Sequence, residues 1–240
     1  MERIITDLHI HIVPNVDDGA ANLAMSLEML KMAYNQGVRN IFCTSHNVYD
    51  EEEIKRYKSQ FLTLQMCAKS KYSDLKLFMG CELLCAGEYI SDIIYGLDIG
   101  VFLPLGNTKY VLTELYPDVT PQEAERIVLD LTKAGWIPII AHVERYPSLF
   151  KDNTIQCLKF YGAFIQVNLY SLSEESNTEL KQRARYLLKN KLVDFIGSDA
   201  HRSNHRPPNY KSGIDYIYLN CERDYADNIS YKNAKKMLCT

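Results

Sequence analysis

The chemistry in this 240-residue chain gathers around its histidines and a handful of carboxylates. Asp7, His9 and His11 come first, and Asp17 and Asp18 follow ahead of Gly19. His46 closes Thr44-Ser45-His46, while Glu82 and Glu114 end apolar runs. His142 lies in Ala141-His142-Val143-Glu144-Arg145-Tyr146, and Asp199 and His201 flank Ala200. Five of the six histidines belong to this set. A single H-x-H is uninformative, but the whole set is not: carboxylates packed together repel one another unless cations neutralise them. Imidazole and carboxylate donors without thiolate suit manganese, iron or zinc, so a multinuclear metal site is expected. Arg145 and Arg206 follow His142 and His201 closely. Their planar forks suit the free oxygens of a phosphoryl group.

Such a set needs elements that deliver it to one place. Strand-like runs at Ile4–Ile10, Val38–Thr44, Leu75–Leu84, Tyr110–Leu115, Ile137–His142, Ala163–Asn168 and Val193–Ser198 alternate with amphipathic segments. Asn22–Gln36 repeats apolar residues at helical spacing and stops at Gly37; Glu51–Lys71 reads as a charged helix. Thr120-Pro121-Gln122-Glu123 combines a cap, a proline at the first position and a glutamate three residues on. The stretch Ala226–Leu238 also reads as helical. Seven strands alternating with helices imply a parallel sheet with right-handed crossovers, either an open doubly wound sheet or a barrel. Nearly every strand that feeds a helix carries His, Asp or Glu at its C-terminal end, which is the catalytic face of β/α barrels. Side-chain alternation sends His9 and His11 to one face, and Gly19 permits a tight turn before the first helix.

The bulk properties are those of one ordinary globular domain, residues 1–240, with 47% hydrophobic and 24% charged residues. A net charge of −3 offers no basic face for nucleic acid. The seven cysteines form no C-x-x-C pair and read as reduced, mostly buried thiols. The N-terminus is cut short by Asp7, His9 and His11 and does not read as a signal peptide. No uncharged apolar stretch approaches the ~18 residues of a membrane span, so a cytoplasmic protein without membrane insertion is expected.

Asp7-Leu8-His9-Ile10-His11, Val16-Asp17-Asp18-Gly19, Thr44-Ser45-His46, Gly80-Cys81-Glu82, the His142–Tyr146 segment and Ser198-Asp199-Ala200-His201 resemble the successive motifs of the PHP (polymerase and histidinol phosphatase) superfamily. Asp17-Asp18-Gly19, Ala141–Tyr146 and Arg206-Pro207-Pro208 are similar to one branch, the bacterial manganese-dependent protein-tyrosine phosphatases of capsule and exopolysaccharide loci. The likeness runs from about residue 4 to residue 210. It implies an α/β fold, a distorted (β/α)7 TIM-like barrel of the PHP type. By the same resemblance, His9, His11, Glu82 and Asp199 surround one divalent ion, and a bridging Glu82 with Glu114 and His142 holds a second. Asp18, His46 and His201 hold a third. The resemblance favours Mn2+, with Fe, Zn, Co or Mg as alternatives. Arg145 and Arg206 fall on substrate-phosphate positions. The segment Leu169-Tyr170-Ser171-Leu172 departs from the pattern, where smaller residues and glycine are expected.

The reaction these residues imply is hydrolysis of a phosphotyrosine protein by a hydroxide shared between metals. The substrate implied is a bacterial tyrosine kinase. Arg145 and Arg206 stabilise charge on the phosphoryl oxygens, and His201 or a water supplies any proton the leaving group needs. A cysteine nucleophile would need an arginine six residues on. Those positions after Cys43, Cys67, Cys81, Cys85, Cys157 and Cys221 hold Tyr49, Ser73, Gly87, Ser91, Ala163 and Asp227, so that route is rejected. Rival readings are another phosphoesterase of the superfamily, such as a histidinol-phosphate phosphatase, and a non-catalytic metal-stabilised regulatory partner of a kinase.

Overall fold

Every strand of the protein is followed by at least one helix. The computed structural model describes residues 4–46 and 51–239; Met1–Arg3, part of the start read above as no signal peptide, lie outside them. The strands are β1 (Ile5–Ile10), β2 (Val38–His46), β3 (Lys76–Leu84), β4 (Tyr110–Glu114), β5 (Ile137–Ile140), β6 (Phe164–Asn168) and β7 (Phe195–Gly197). The helices between them are α1 (Leu23–Asn35), α2 (Glu51–Lys71), α3 (Ile90–Asp98), α4 (Pro121–Lys133), α5 (Thr154–Phe160) and α6 (Thr178–Lys189). After β7 come α7 (Lys211–Asn220), α8 (Arg223–Asp227), a π turn over Asn228–Lys232, and α9 (Asn233–Met237). Among the described residues no helix is long and apolar enough to cross a membrane.

The strands pair in sequence order and in parallel, β1 through β7. The two ends of the sheet meet: the Asp199 amide donates to the His9 carbonyl at 2.7 Å, and the His11 amide to the Ala200 carbonyl at 2.9 Å. This makes the nearly closed barrel anticipated by the resemblance, rather than the open sheet. Gly197 permits the closure, because a Cβ there would lie 2.6 Å from the Cβ of His9. Inside the barrel, Leu8, Phe42, Leu105, Leu112, Ile139 and Phe195 form an apolar layer, plugged by Ala234 and Met237 of α9. Burying such side chains contributes on the order of 1.5–3 kcal/mol each. The larger core lies between the strands and the outer helices.

Most boundaries shift by a residue or two from the sequence expectation, and two larger changes have a local reason. β5 stops at Ile140 because His142 takes a left-handed backbone with φ of 32°, which no strand continues through. β2 runs on to His46, because Thr44, Ser45 and His46 stay paired with Gly80, Cys81 and Glu82 of β3. Helix α3 was not anticipated. Thr120 caps α4 as expected, its hydroxyl accepting from the Glu123 amide at 3.2 Å, but the Glu123 carboxylate faces the Gly87 amide instead of closing a capping box. Only Cys43, Cys81 and Cys85 of the seven cysteines are buried, and none is in a disulfide.

Candidate metal centre

The strands of this barrel end at one mouth, and Glu82 from β3 stands at its centre. Its Oε1 lies 2.9 Å from His142 Nε2. Its Oε2 lies 3.2 Å from Nε2 of both His9 and His11 and 3.3 Å from His46 Nδ1. Glu114, ending β4, sits 3.6 Å from His142 Nε2. Asp18, in the loop after β1, approaches His46 Nε2 at 3.7 Å and His201 Nε2 at 3.5 Å. Asp199 Oδ1 lies 3.5 Å from His9, 3.6 Å from His11 and 3.7 Å from His201. All nine residues expected as ligands therefore converge. They fall into overlapping groups: His9, His11 and Asp199; His9, Glu82 and His142; His46, Glu82 and Glu114; and His11, Asp18, His46 and His201. The partition differs in detail from the expected one, since His11 also reaches the Asp18 group and Glu114 also reaches His46.

Hydrogen bonds behind the site fix which ring nitrogen faces it. The His142 amide donates to Gln166 Oε1 at 2.7 Å, so that atom is an acceptor, and His9 Nδ1, 3.3 Å away, carries the proton. Gln166 Nε2 donates to Asn168 Oδ1, and Asn168 Nδ2 donates to Asp199 Oδ2, both at 2.9 Å. His11 Nδ1 donates to Asp17 Oδ2 at 2.8 Å. His9 and His11 thus turn their Nε2 atoms toward the cluster, 3.2 Å apart. Nothing but a cation, a proton or a metal, reconciles them at that distance. Tautomers held this way by outer partners are a recurrent feature of metal-ligating histidines. The donor set fits divalent ions of the first transition row.

The electrostatics agree. Burial disfavours charge on Glu82, yet His9, His11 and His142 hold its carboxyl well below the usual range. Burial likewise opposes charge on His11, but hydrogen bonds to Asp17 and Glu82 outweigh it and push the imidazole up to about 10. Asp17, despite its own burial, is brought down to about 2 by His11. His201 behaves differently: burial, with His11 and Arg206 alongside, pulls it down to about 4. Its Nδ1 lies 3.1 Å from the Asp199 carbonyl, and its Nε2 lies 3.2 Å from Arg206 Nη1 and 3.5 Å from Asp18. With Nδ1 donating to that carbonyl, Nε2 is the atom offered to the Asp18 and His46 group.

Asp199 divides its two oxygens between histidines and arginines. Arg145 Nη2 donates to Oδ2 at 2.6 Å; Arg206 Nη2 pairs with the same oxygen at 2.6 Å and donates to the Asp199 carbonyl at 3.1 Å. Both guanidinium groups line a pocket of about 430 Å³ beside the cluster. His142, Asp199 and Arg206 all adopt left-handed backbone, with φ of 32°, 52° and 53°. Such conformations cost on the order of 1–3 kcal/mol for non-glycine residues and persist only where surrounding contacts over-determine them.

Several residues correct or extend the sequence reading. Asp7 does not face the cluster; its carboxylate accepts from the hydroxyls of Ser198 and Tyr210, both at 2.6 Å, and so ties β1 to β7. Gly19 sits in the expected bend, its amide donating to Asp17 Oδ1 at 3.0 Å, and it also serves close approach, because a Cβ there would lie 2.2 Å from the His11 carbonyl oxygen. Sequence reasoning missed Gln166 and Asn168. Their signal was present as alternate polar positions, both buried, on the otherwise apolar β6.

A β/α barrel whose strand ends gather histidines and carboxylates beside two arginines is the layout of a metal-dependent hydrolase. The chain belongs to the CpsB/CapC family of capsular polysaccharide synthesis, whose model matches residues 5–239. It is 30% identical to the tyrosine-protein phosphatase CpsB of Streptococcus agalactiae serotype III over 97% of both chains. It is 31% identical to the tyrosine-protein phosphatase YwqE of Bacillus subtilis, over 97% of this chain and 91% of that one. Among solved structures it resembles a chain from the work on YwqE of B. subtilis and CpsB of Streptococcus pneumoniae, described as unique metal-dependent tyrosine phosphatases. That match has a TM-score of 0.84 and 29% identity, covering 98% of this chain and 94% of the other.

Proposed function

We propose that this protein is a metal-dependent protein-tyrosine phosphatase, with His9, His11, Asp18, His46, Glu82, Glu114, His142, Asp199 and His201 holding three divalent ions, manganese foremost. The observation that carries the reading is the pair of Nε2 atoms of His9 and His11, 3.2 Å apart and facing Glu82, with each Nδ1 engaged by an outer acceptor. When bound, the metals supply a water of lowered pKa and positive charge for the phosphoryl oxygens. Arg145 and Arg206 bind the remaining oxygens and orient the phosphorus toward the cluster. Gln166 and Asp17 keep the His9 and His11 tautomers fixed throughout. The tyrosine leaving group, with a pKa near 10, departs without a strong acid, and His201 or a water supplies any proton it needs. The family's capsular polysaccharide setting points to a cytoplasmic enzyme acting on a phosphorylated bacterial tyrosine kinase.

The test is phosphate release from a phosphotyrosine peptide by manganese-loaded protein. Arg206→Ala is expected to lower kcat/KM about 10²–10³-fold while metal content and folding remain. Unchanged turnover in that variant contradicts the phosphate-binding role. A preference for histidinol phosphate over the peptide would move the assignment to another phosphoesterase activity.

A further inference from the structure

The pocket beside Asp199 is lined by unlike groups: the cationic Arg145 and Arg206, and the aromatic or apolar Tyr170, Leu180 and Pro207. An anion seated on the arginines would leave any attached group in the same pocket as these apolar side chains. Tyr170 is 48% exposed there, and its hydroxyl donates to the Glu175 carbonyl at 3.1 Å, which holds the ring against the wall. Tyr170 rides on a short 3-10 turn, Leu169–Leu172, that departs from the smaller residues expected at this place.

That turn is gripped by a side chain with no part in the metal cluster. Glu144 is fully buried, and its Oε1 accepts from the Asn168 amide at 3.1 Å and from the Ser171 hydroxyl at 2.7 Å. Its Oε2 has no hydrogen-bond partner. Glu144 shares the Val143–Arg145 turn with Arg145 itself. One carboxylate thus ties the turn that carries Arg145 to the turn that carries Tyr170. An unpartnered buried oxygen is costly, and its retention here accords with a task in placing the turn.

We propose that this pocket is the subsite for the aryl ring of the substrate, walled by Tyr170, Leu180 and Pro207, and that Glu144 is the positioning residue that sets the wall relative to Arg145. The proposal rests on the phosphotyrosine phosphatase reading and adds what selects an aryl over an alkyl phosphate. Ring-on-ring contact and lost apolar burial correspond to roughly a 10-fold change in affinity.

The experiment measures calorimetric binding of phenylphosphonate and methylphosphonate to manganese-loaded protein, alongside turnover of a phosphotyrosine peptide. The wild type is expected to favour phenylphosphonate. Tyr170→Ala should shrink the phenyl-to-methyl ratio about 10-fold, chiefly by weakening the phenyl ligand. Glu144→Gln keeps an acceptor at Oε1 and should keep the ratio, whereas Glu144→Ala should lose it and raise KM for the peptide more than it lowers kcat. Should Glu144→Ala fail to fold, Ser171→Ala removes one of the same bonds and should show a smaller loss in the same direction. A phenyl preference that survives both Tyr170→Ala and Leu180→Ala overturns the subsite. Loss of the ratio in Glu144→Gln equal to that in Glu144→Ala overturns the positioning role. Absence of peptide turnover with the phenyl preference intact and Tyr170-dependent sinks the phosphatase reading and supports the subsite.

Discussion

His11 shows how single residues prepare this site. Held between Asp17 and Glu82, its imidazole is raised from 6.5 to about 10, so without metal it carries a proton at neutral pH. The sign follows: that charged pair stabilises the ion-free fold fully below pH 6.5, and the contribution declines as pH rises toward 10. A metal must expel the same proton, so loading is expected to release at least one proton per chain near pH 7.5 and to tighten with pH. Titration of Mn2+ in weakly buffered solution with a pH electrode measures it, and loading without proton release would contradict the reading. Gln166 supports the opposite neighbour. Gln166→Leu strips the acceptor from His9 Nδ1 and from the His142 amide, and metal affinity should fall about 10–100-fold. Competition with a chromogenic chelator reads that affinity, and an unchanged constant would remove Gln166 from the centre.

At the level of elements, barrel closure matters most. β7 has only three residues, and Gly197 at its end presses on the backbone and Cβ of His9. Gly197→Ala is expected to cost about 1–3 kcal/mol in overpacking and to loosen metal binding, because β1 carries His9 and Asp199 follows two residues after β7. Urea unfolding and metal competition on the same variant check both, and wild-type values for each would show the contact to be slack. Helix α3 illustrates what the sequence hid at this level. Its Gly96 weakens the helical pattern, but the site needs a glycine, since a Cβ there would lie 2.4 Å from the Phe102 ring. The expected strand at residues 137–142 is present but ends two residues early, because the backbone at His142 bends out of extension, with its ring against Glu82.

Across the whole molecule, the ionisable half of the site was legible because histidines and carboxylates at strand ends carry a charge pattern that neutral packing does not explain. His9 and His201, 192 positions apart, meet at one mouth through His11, whose ring lies 4.0 Å from that of His201 and 5.3 Å from that of His9. The amides Gln166 and Asn168 left only their alternation on an apolar strand as a trace; neutral polar groups lack the charge pattern, and their role is recognised only once their partners are visible. The same holds for Glu144, whose neighbours in space come from β6 and the turn beyond it. The thiols take no part: burial pushes Cys43, Cys81 and Cys85 far from the thiolate form, Cys81 up to about 12.

The decisive measurement is an anomalous difference map at the manganese edge from crystals grown with Mn2+. Peaks should stand among His9, His11, Asp18, His46, Glu82, Glu114, His142, Asp199 and His201, each within about 2.0–2.3 Å of its ligand atoms. A map with no peak at this mouth in saturating metal, or with peaks only elsewhere on the barrel, would contradict the assignment of these nine side chains.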